Sequence, residues 1–295
     1  MDFRLFVDED IAVAFCRDRG LITRTLICPS CLASCKETKH KGKIVFRCTK
    51  KVCQKVFSIL IDSIFAKCRL PITKILHILY LWSCPRPVRD VVREVGVTKT
   101  TVVDWGKTFR AICTRHLRQH SVPLGGPGRI VEIDESKFGN RKYNRGRVID
   151  GHWVFGGVER GPGGACFLLE VEDRSVGTLL PMITDRIAQG STIMSDGFAT
   201  YRRISDLGYN HLTVIHKRNF VDPLTGAHTQ SIESLWAQVK KFMRQIDVMN
   251  TSRELFQSYL DQFCVRRLLS NSDIFNKMLD LIAEQYHPPI GIGLD

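Results

Sequence analysis

The sequence predicts a mixed α/β protein with a central sheet in its second half and a basic, cysteine-rich, largely helical first half. Three observations predict it. After residue 128 the hydrophobic patterns run strand, hairpin, helix, strand, helix, strand, helix. Residues 1–123 carry 23 Lys+Arg and 10 Asp+Glu, whereas residues 124–295 carry 20 of each, so the whole formal charge of +13 is N-terminal. Between the halves, Ser121 to Gly128 holds three Gly and two Pro, a run expected to break any helix or strand.

Composition narrows the class. With 44% hydrophobic and 25% charged residues among 295, a disordered chain is excluded, and no G-x-y period suggests collagen. At roughly 150 residues per domain, about two domains are expected. The longest apolar run, Ile75 to Trp82, contains His77 and falls short of the ~20 residues of a membrane span, so no membrane partner is expected. The opening Asp2, Arg4, Asp8, Glu9 and Asp10 is unlike a signal peptide. Secretion is not expected, and neither is use of the Asn250-Thr-Ser252 sequon. Eleven cysteines, an odd number in a long chain, fit a reducing compartment.

In chain order, a helical start over 5–20 leads to a Cys/Lys-rich piece over 24–58. A helical stretch begins near Pro71 and resumes after Pro85 and Pro87. Arg129 to Ile133 reads as a strand, and His152 to Glu159 with Ala165 to Glu172 as a hairpin. Ser175 to Gln189 reads as an amphipathic helix, Ser191 to Ser195 as a strand, Phe198 to Asp206 as a helix and His211 to Ile215 as a strand. A helix from about Thr229 to Ile246 follows, with Ile232, Leu235, Val239, Phe242 and Ile246 on its inward stripe.

Cys28-Pro-Ser-Cys31 and Cys48-Thr-Lys-Lys-Val-Cys53 are two close thiolate pairs, each able to wrap one side of a tetrahedral Zn²⁺ across a small β-ribbon. Cys35 and His40 are alternative ligands. Around the pairs, Lys36, Lys39, Lys41, Lys43, Arg47, Lys50, Lys51 and Lys55 face only Glu37. Each cation placed on a phosphate would release a counterion, so the module reads as a DNA contact surface; a solvated basic face is the alternative. A second candidate is the pattern Val88 to Val95, Gly96, then a Thr98-capped helix to about Leu117, which resembles a helix-turn-helix with Lys99, Thr100 and Thr101 toward the groove. A plain helix pair reads equally well.

In the neutral half, Asp134 follows a strand, Asp196 closes another at its carboxyl end, and Glu233 lies in the first turns of the last helix, at the edge of its apolar stripe. Three carboxylates at one sheet edge would raise one another's pKa unless cations neutralise them. Two Mg²⁺ (or Mn²⁺) ions about 4 Å apart would do so, and would clamp an in-line phosphoryl displacement. His216, Lys217 and His228 lie near the third carboxylate in sequence and either contact phosphate or serve structure. Trp153 and Trp236 read as core residues.

Ile133-Asp-Glu-Ser136, Trp153-Val-Phe-Gly-Gly-Val-Glu-Arg160, Ser195-Asp-Gly-Phe-Ala-Thr-Tyr201 and His228-Thr-Gln-Ser-Ile-Glu-Ser-Leu-Trp236 resemble the motif blocks of Merlin-type DDE transposases and related bacterial insertion-sequence transposases. With the cysteine pairs and the segment Phe57 to Trp82, the resemblance spans about residues 26–246. It implies an N-terminal zinc ribbon and helical DNA-binding region joined to an RNase H-like catalytic core. It selects Asp134 over Glu132 and Glu135, which spacing alone does not, and matches Asp134, Asp196 and Glu233 to the catalytic triad with 36 residues between the last two. Leu32 stands where the family's first cysteine knuckle often continues with Gly.

The organisation implied is an N-terminal helix (1–23), zinc ribbon (24–58), helical DNA-binding region (59–120), linker (121–128), catalytic domain (129–250) and C-terminal helices (251–295). The expected activity is metal-dependent cleavage at transposon ends and strand transfer into target DNA. The expected partners are double-stranded DNA (terminal inverted repeats and target) and further copies of the chain, a homodimer or higher oligomer, in synapsis. The expected location is the nucleus in a eukaryote and the cytoplasm or nucleoid in a bacterium. The alternatives are a domesticated DNA-binding regulator without catalysis, and an RNase H-like nuclease.

Overall fold

The computed structural model describes residues 2–40, 43–66, 68–139, 151–161, 164–214, 228–248, 253–269 and 273–286. The chain divides into two compact units, residues 1–112 with 272–295, and residues 113–271. Among the described residues no helix is long and apolar enough to cross a membrane.

The first unit opens with α1 (Glu9–Asp18), shorter than the helix expected over 5–20 because Asp8 caps it. The Asp8 side chain accepts from Asp10 N and Ile11 N at 3.0 and 3.1 Å, two donors that the first turn leaves unpaired. Three antiparallel strands follow, β1 (Cys35–His40), β2 (Lys43–Cys48) and β3 (Val56–Ser58), with β2 central. Helix α2 (Ile72–Ser83) starts after Pro71, which has no side chain to cap it. Glu9 does so from α1, accepting from Ile72 N at 2.9 Å and Thr73 N at 3.2 Å. Ile75, Leu76, Ile78, Leu79 and Leu81 bury most of the circumference of α2. Helix α3 (Val88–Val95) ends on Gly96 at φ +67°, whose N–H closes on Val92 O. Helix α4 (Lys99–Gln119) then starts where Thr101 N donates to Thr98 Oγ1 at 3.2 Å. The helix–Gly–Thr pattern read from the sequence thus forms two helices at the expected bounds.

The second unit contains β4 (Leu124–Gly125), β5 (Ile130–Phe138), β6 (His152–Glu159), β7 (Cys166–Val171), α5 (Val176–Arg186), β8 (Ile187–Ala188), β9 (Thr192–Asp196), β10 (Asn210–Val214), α6 (Gln230–Gln245) and α7 (Arg253–Leu268). Five strands make one mixed sheet in the order β10-β9-β5-β6-β7, parallel across β10, β9 and β5 and antiparallel across β5, β6 and β7. One face packs Val131, Ile133, Phe155, Phe167 and Val171 against Leu179 and Ile183 of α5 and against Tyr201. The other packs Phe138, Val154, Val158 and Leu168 against Ile232, Leu235, Trp236 and Val239 of α6 and Phe256 and Leu260 of α7. Helix, sheet and helix form three layers over two hydrophobic cores.

Three segments differ from the sequence expectation. Residues 121–128 contain β4, held because Gly125 N donates to Glu159 Oε2 at 2.9 Å and Gly126 N to Ser191 Oγ at 2.8 Å. A Cβ on Gly125 would lie 2.2 Å from that hydroxyl, so the glycine is needed. Helix α5 stops at Arg186 instead of reaching Gln189, because Ile187, buried, pairs in parallel with Leu124. The helix expected over 198–206 is two 3-10 turns, Ala199–Arg203 and Ser205–Leu207. Buried Tyr201 and Ile204 stand three apart, the repeat that puts side chains on one side of a 3-10 turn. Finally, α8 (Ile274–Gln285) belongs to the first unit, where Phe275 meets Tyr80 of α2 edge-on with centroids 5.9 Å apart and Arg19 of α1 pairs with Asp280 at 2.9 Å.

Candidate active site

Strands β5 and β9 are paired in parallel as far as Glu132 and Met194. Two residues beyond on each strand stand Asp134 and Asp196, so the two acids lie where the strands part. Phe198 N donates to Asp196 Oδ1 at 2.9 Å and fixes that carboxyl in the turn after β9. On the α6 side, Trp236 Nε1 donates to Asp134 Oδ2 at 3.0 Å. The indole reaches it over Gly156, the register partner of Asp134 on β6, where a Cβ would lie 2.6 Å from the ring. Glu233 is exposed in the first turn of α6, one turn before Trp236, and its Oε1 accepts from Thr229 Oγ1 at 3.3 Å.

The charges of this edge are felt at Asp134. Burial pushes Asp134 up to about 6, and the charges of Asp196 and Glu233 push the same way, against the Trp236 hydrogen bond. The three do not meet as a set with oxygens within 4.8 Å of one another; among the described residues only the four cysteines form such a group. As hard oxygen donors at one sheet edge, with Asp134 already disfavoured as an anion, the acids suit a hard divalent cation.

The structure also separates Asp134 from its acidic neighbours. Strand alternation turns Glu135 to the opposite face, where it accepts from Tyr201 Oη; burial pushes it up to about 7, with Asp134 and Asp196 adding to the rise. Glu132 shares the α6 face with Asp134, but both of its oxygens are occupied. Arg160 Nε donates to Oε1 at 2.6 Å, and Ser231 N and Ile232 N donate to Oε2 at 2.8 and 3.0 Å. His228 Nδ1 lies 3.6 Å from the same Oε1. Lys240, a further turn along α6, donates to Ser136 Oγ at 2.7 Å. His216, Lys217 and Asp222 lie outside the described residues, as does the Asn250 sequon.

In the first unit, the sulfurs of Cys28, Cys31, Cys48 and Cys53 all lie within 4.8 Å of one another, with Cys28–Cys53 at 3.7 Å and Cys31–Cys48 at 3.3 Å. Four thiolates at 2.3 Å from a tetrahedral zinc stand roughly 3.8 Å apart, so the donor set and its spacing suit Zn²⁺. Burial pushes Cys48 up to about 12; Cys28 is drawn down to about 6 because, against its burial, the N–H groups of Ser30 and Cys31 and the neighbouring thiols favour its thiolate. Cys35 pairs with Cys48 across β1 and β2 but is not in the group, and His40 is exposed at the far end of that hairpin. Leu32 has φ +59°, the left-handed conformation that Gly accepts freely.

Of the expected DNA contacts, Lys50, Lys51, Lys99 and Thr100 are exposed and Arg47 is half-buried. Lys41 and the side chain of Lys43 lie outside the described residues. Sequence reasoning treated Trp236 only as core, whereas it is core and also holds Asp134; its place three residues after Glu233, on the same helix face, was the available signal. The pairing of Glu132 with Arg160 was missed, although an acid two residues from Asp134 had to share its face of the strand.

Residues 123–267 match the family model of the ISXO2-like transposase domain. No curated protein matches the chain. Among solved structures the chain is similar to the Mos1 strand transfer complex, at 14% identity and a TM-score of 0.31 over 72% of this chain and 74% of that one. It is also similar to the mariner Mos1 paired end complex with Mg, at 13% identity and a TM-score of 0.29 over 72% and 75%. The family match thus makes residues 123–267, just under half of the chain, similar to a DDE-type transposase domain of the ISXO2-like kind.

Proposed function

We propose that the chain is a DNA transposase that cleaves strands at transposon ends and joins them to target DNA, with Asp134, Asp196 and Glu233 as its catalytic carboxylates. The observation that carries this reading is the placement of Asp134 and Asp196 just past the last paired residues of β5 and β9, with Glu233 on the first turn of α6 and its charge felt at Asp134. In this reading the sheet is an RNase H-like core, and the three carboxylates would hold two Mg²⁺ or Mn²⁺ ions. When bound, such ions supply Lewis acidity at the scissile phosphate and an activated water. Trp236 holds the Asp134 carboxyl, and the Phe198 N–H holds that of Asp196, so each ligand is oriented before substrate arrives. Cys28, Cys31, Cys48 and Cys53 would hold a structural Zn²⁺, and Lys50, Lys51, Lys99 and Arg47 would meet phosphates of double-stranded DNA. Paired ends imply a dimer or larger assembly.

The test is Asp196→Asn in the full chain. Cleavage of a labelled element end in Mg²⁺ should fall about 10²- to 10³-fold, the order of loss of a transition-state charge stabiliser, while a gel shift in Ca²⁺ keeps its midpoint. Cleavage near the wild-type rate removes Asp196 from the site and the reading with it.

A further inference from the structure

We infer that Glu132, buried, and Arg160, half-buried, form a clamp that fixes the N-terminus of α6 on β5, and so positions Glu233 for metal binding. The inference rests on the proposed catalytic reading. An α-helix leaves its first N–H groups without partners. In α6 the cap residue Thr229 makes no side-chain capping bond. Ser231 N and Ile232 N donate instead to Glu132 Oε2, from a residue 99 positions away on the central strand. Glu132 is wholly buried. Arg160, on the residue after β6, donates to Glu132 Oε1 and, through Nη2, to His228 O at 2.7 Å, so one guanidinium holds both the clamp acid and the backbone leading into the helix.

The chemistry of this arrangement suits a positioning residue and not a fourth metal ligand. Both oxygens of Glu132 are spent on N–H donors, and Arg160 neutralises it, so it adds no net negative charge two residues from Asp134, whose anion is already disfavoured. Glu132 lies two residues before Asp134, and Ser231 and Ile232 immediately precede Glu233. The clamp therefore joins the strand that carries the first carboxylate to the turn that carries the third. Loosening it frees α6 to shift its first turn, and a ligand displaced by about 1 Å is enough to lose much of a metal site's catalytic geometry. Glu9 makes the same kind of cap on α2 within the first unit, and supplies an internal control.

The experiment compares full-length Glu132→Gln, Arg160→Lys and Glu9→Gln with the wild type. Amide hydrogen exchange over the start of α6 should quicken about tenfold or more in Glu132→Gln and stay at the wild-type rate in Glu9→Gln. The Mn²⁺ concentration giving half-maximal cleavage of a labelled element end should rise about 10- to 100-fold in Glu132→Gln, the range for residues that orient metal ligands. It should rise less in Arg160→Lys, which keeps the charge, and not at all in Glu9→Gln, while the Ca²⁺ gel shift is unchanged in all three. Half-saturation is compared only among variants shown by circular dichroism to be folded at the assay temperature, because an unfolded fraction by itself raises the apparent half-saturation. Unchanged exchange at α6, or faster exchange with unchanged half-saturation, overturns the clamp; if Glu132→Gln does not fold, Arg160→Lys decides by the same two readings. A wild type that cleaves at no Mn²⁺ concentration overturns the catalytic reading instead, whatever the exchange shows.

Discussion

The two sets of acidic side chains singled out in this molecule, four cysteines and three carboxylates, are built in opposite ways. The four cysteines come from residues 28–53 and are aimed by two tight turns around one small sheet, with Leu32 N closing on Cys28 O and Cys53 N on Lys50 O. The three carboxylates come from residues 134–233 and reach one edge only because β5, β9 and α6 are set in place by a five-stranded sheet and two hydrophobic cores. A locally built cluster depends on its metal to hold it, because 26 residues bury little apolar surface. A cluster assembled from distant strands is held by the fold and strained by its own charge. The same substitution logic should therefore fail in opposite directions at the two sites.

The largest expected effect tests the first half of that contrast. Cys48→Ser should lose bound zinc, measured by metal analysis, and with it on the order of 10 kcal/mol of ribbon stability. Hydrogen exchange should become fast over β1, β2 and β3 while the five-stranded sheet keeps its protection. Full zinc content in that variant, or melting of both sheets together, would break the comparison.

The same contrast explains what the sequence revealed. The cysteine spacing alone pointed to the four ligands that the structure groups, because a knuckle is a property of consecutive residues. The alternation of β5 put Glu132 and Asp134 on one face, but nothing local says which acid is consumed by a helix N-terminus and which is left at the edge. That is decided by Arg160 and by the arrival of α6 from almost a hundred residues away. Resemblance supplied Asp134; the structure adds that its acidic neighbours are engaged elsewhere, Glu132 by Arg160 and the start of α6 and Glu135 by Tyr201. Helix and strand positions were largely legible from hydrophobic period. The failures, β4 in the linker and the 3-10 turns after β9, are segments whose backbone is fixed by distant partners such as Ser191 and by the burial of Tyr201.

A middle-sized effect tests the charge strain at the carboxylates. Because burial and its acidic neighbours raise Asp134 from 3.8 to about 6, the folded state binds that proton more tightly than the unfolded chain does. Its contribution to stability is therefore full below about pH 4 and is lost as the pH rises through about 6. In metal-free protein, Asp134→Asn should gain on the wild type by about 3 kcal/mol between pH 4 and pH 8, at 1.36 kcal/mol per unit. For a unit of this size that is roughly 6–12 °C in Tm. Millimolar Mn²⁺ should reverse the order at pH 8, since only the wild type keeps all three ligands. Parallel Tm profiles with pH would show that Asp134 carries no such strain.

The smallest effect returns to the cysteine knuckle. Leu32 holds a left-handed backbone with its side chain 79% exposed, so its packing contributes little and its conformation costs about 1–2 kcal/mol. Leu32→Gly removes that strain but adds backbone freedom to the unfolded chain, worth roughly 0.5–1 kcal/mol in the other direction. The net gain should be about 0.5–1 kcal/mol, read as a two- to fivefold tighter hold on zinc in a chelator competition. Leu32→Ala separates the causes: it removes the exposed apolar side chain but keeps the positive φ, and should gain nothing. Equal gains in both variants would assign the effect to the side chain and leave the turn unstrained. A gain in Leu32→Gly alone would show that the knuckle carries backbone strain against its metal, as the carboxylate edge carries charge strain against its fold.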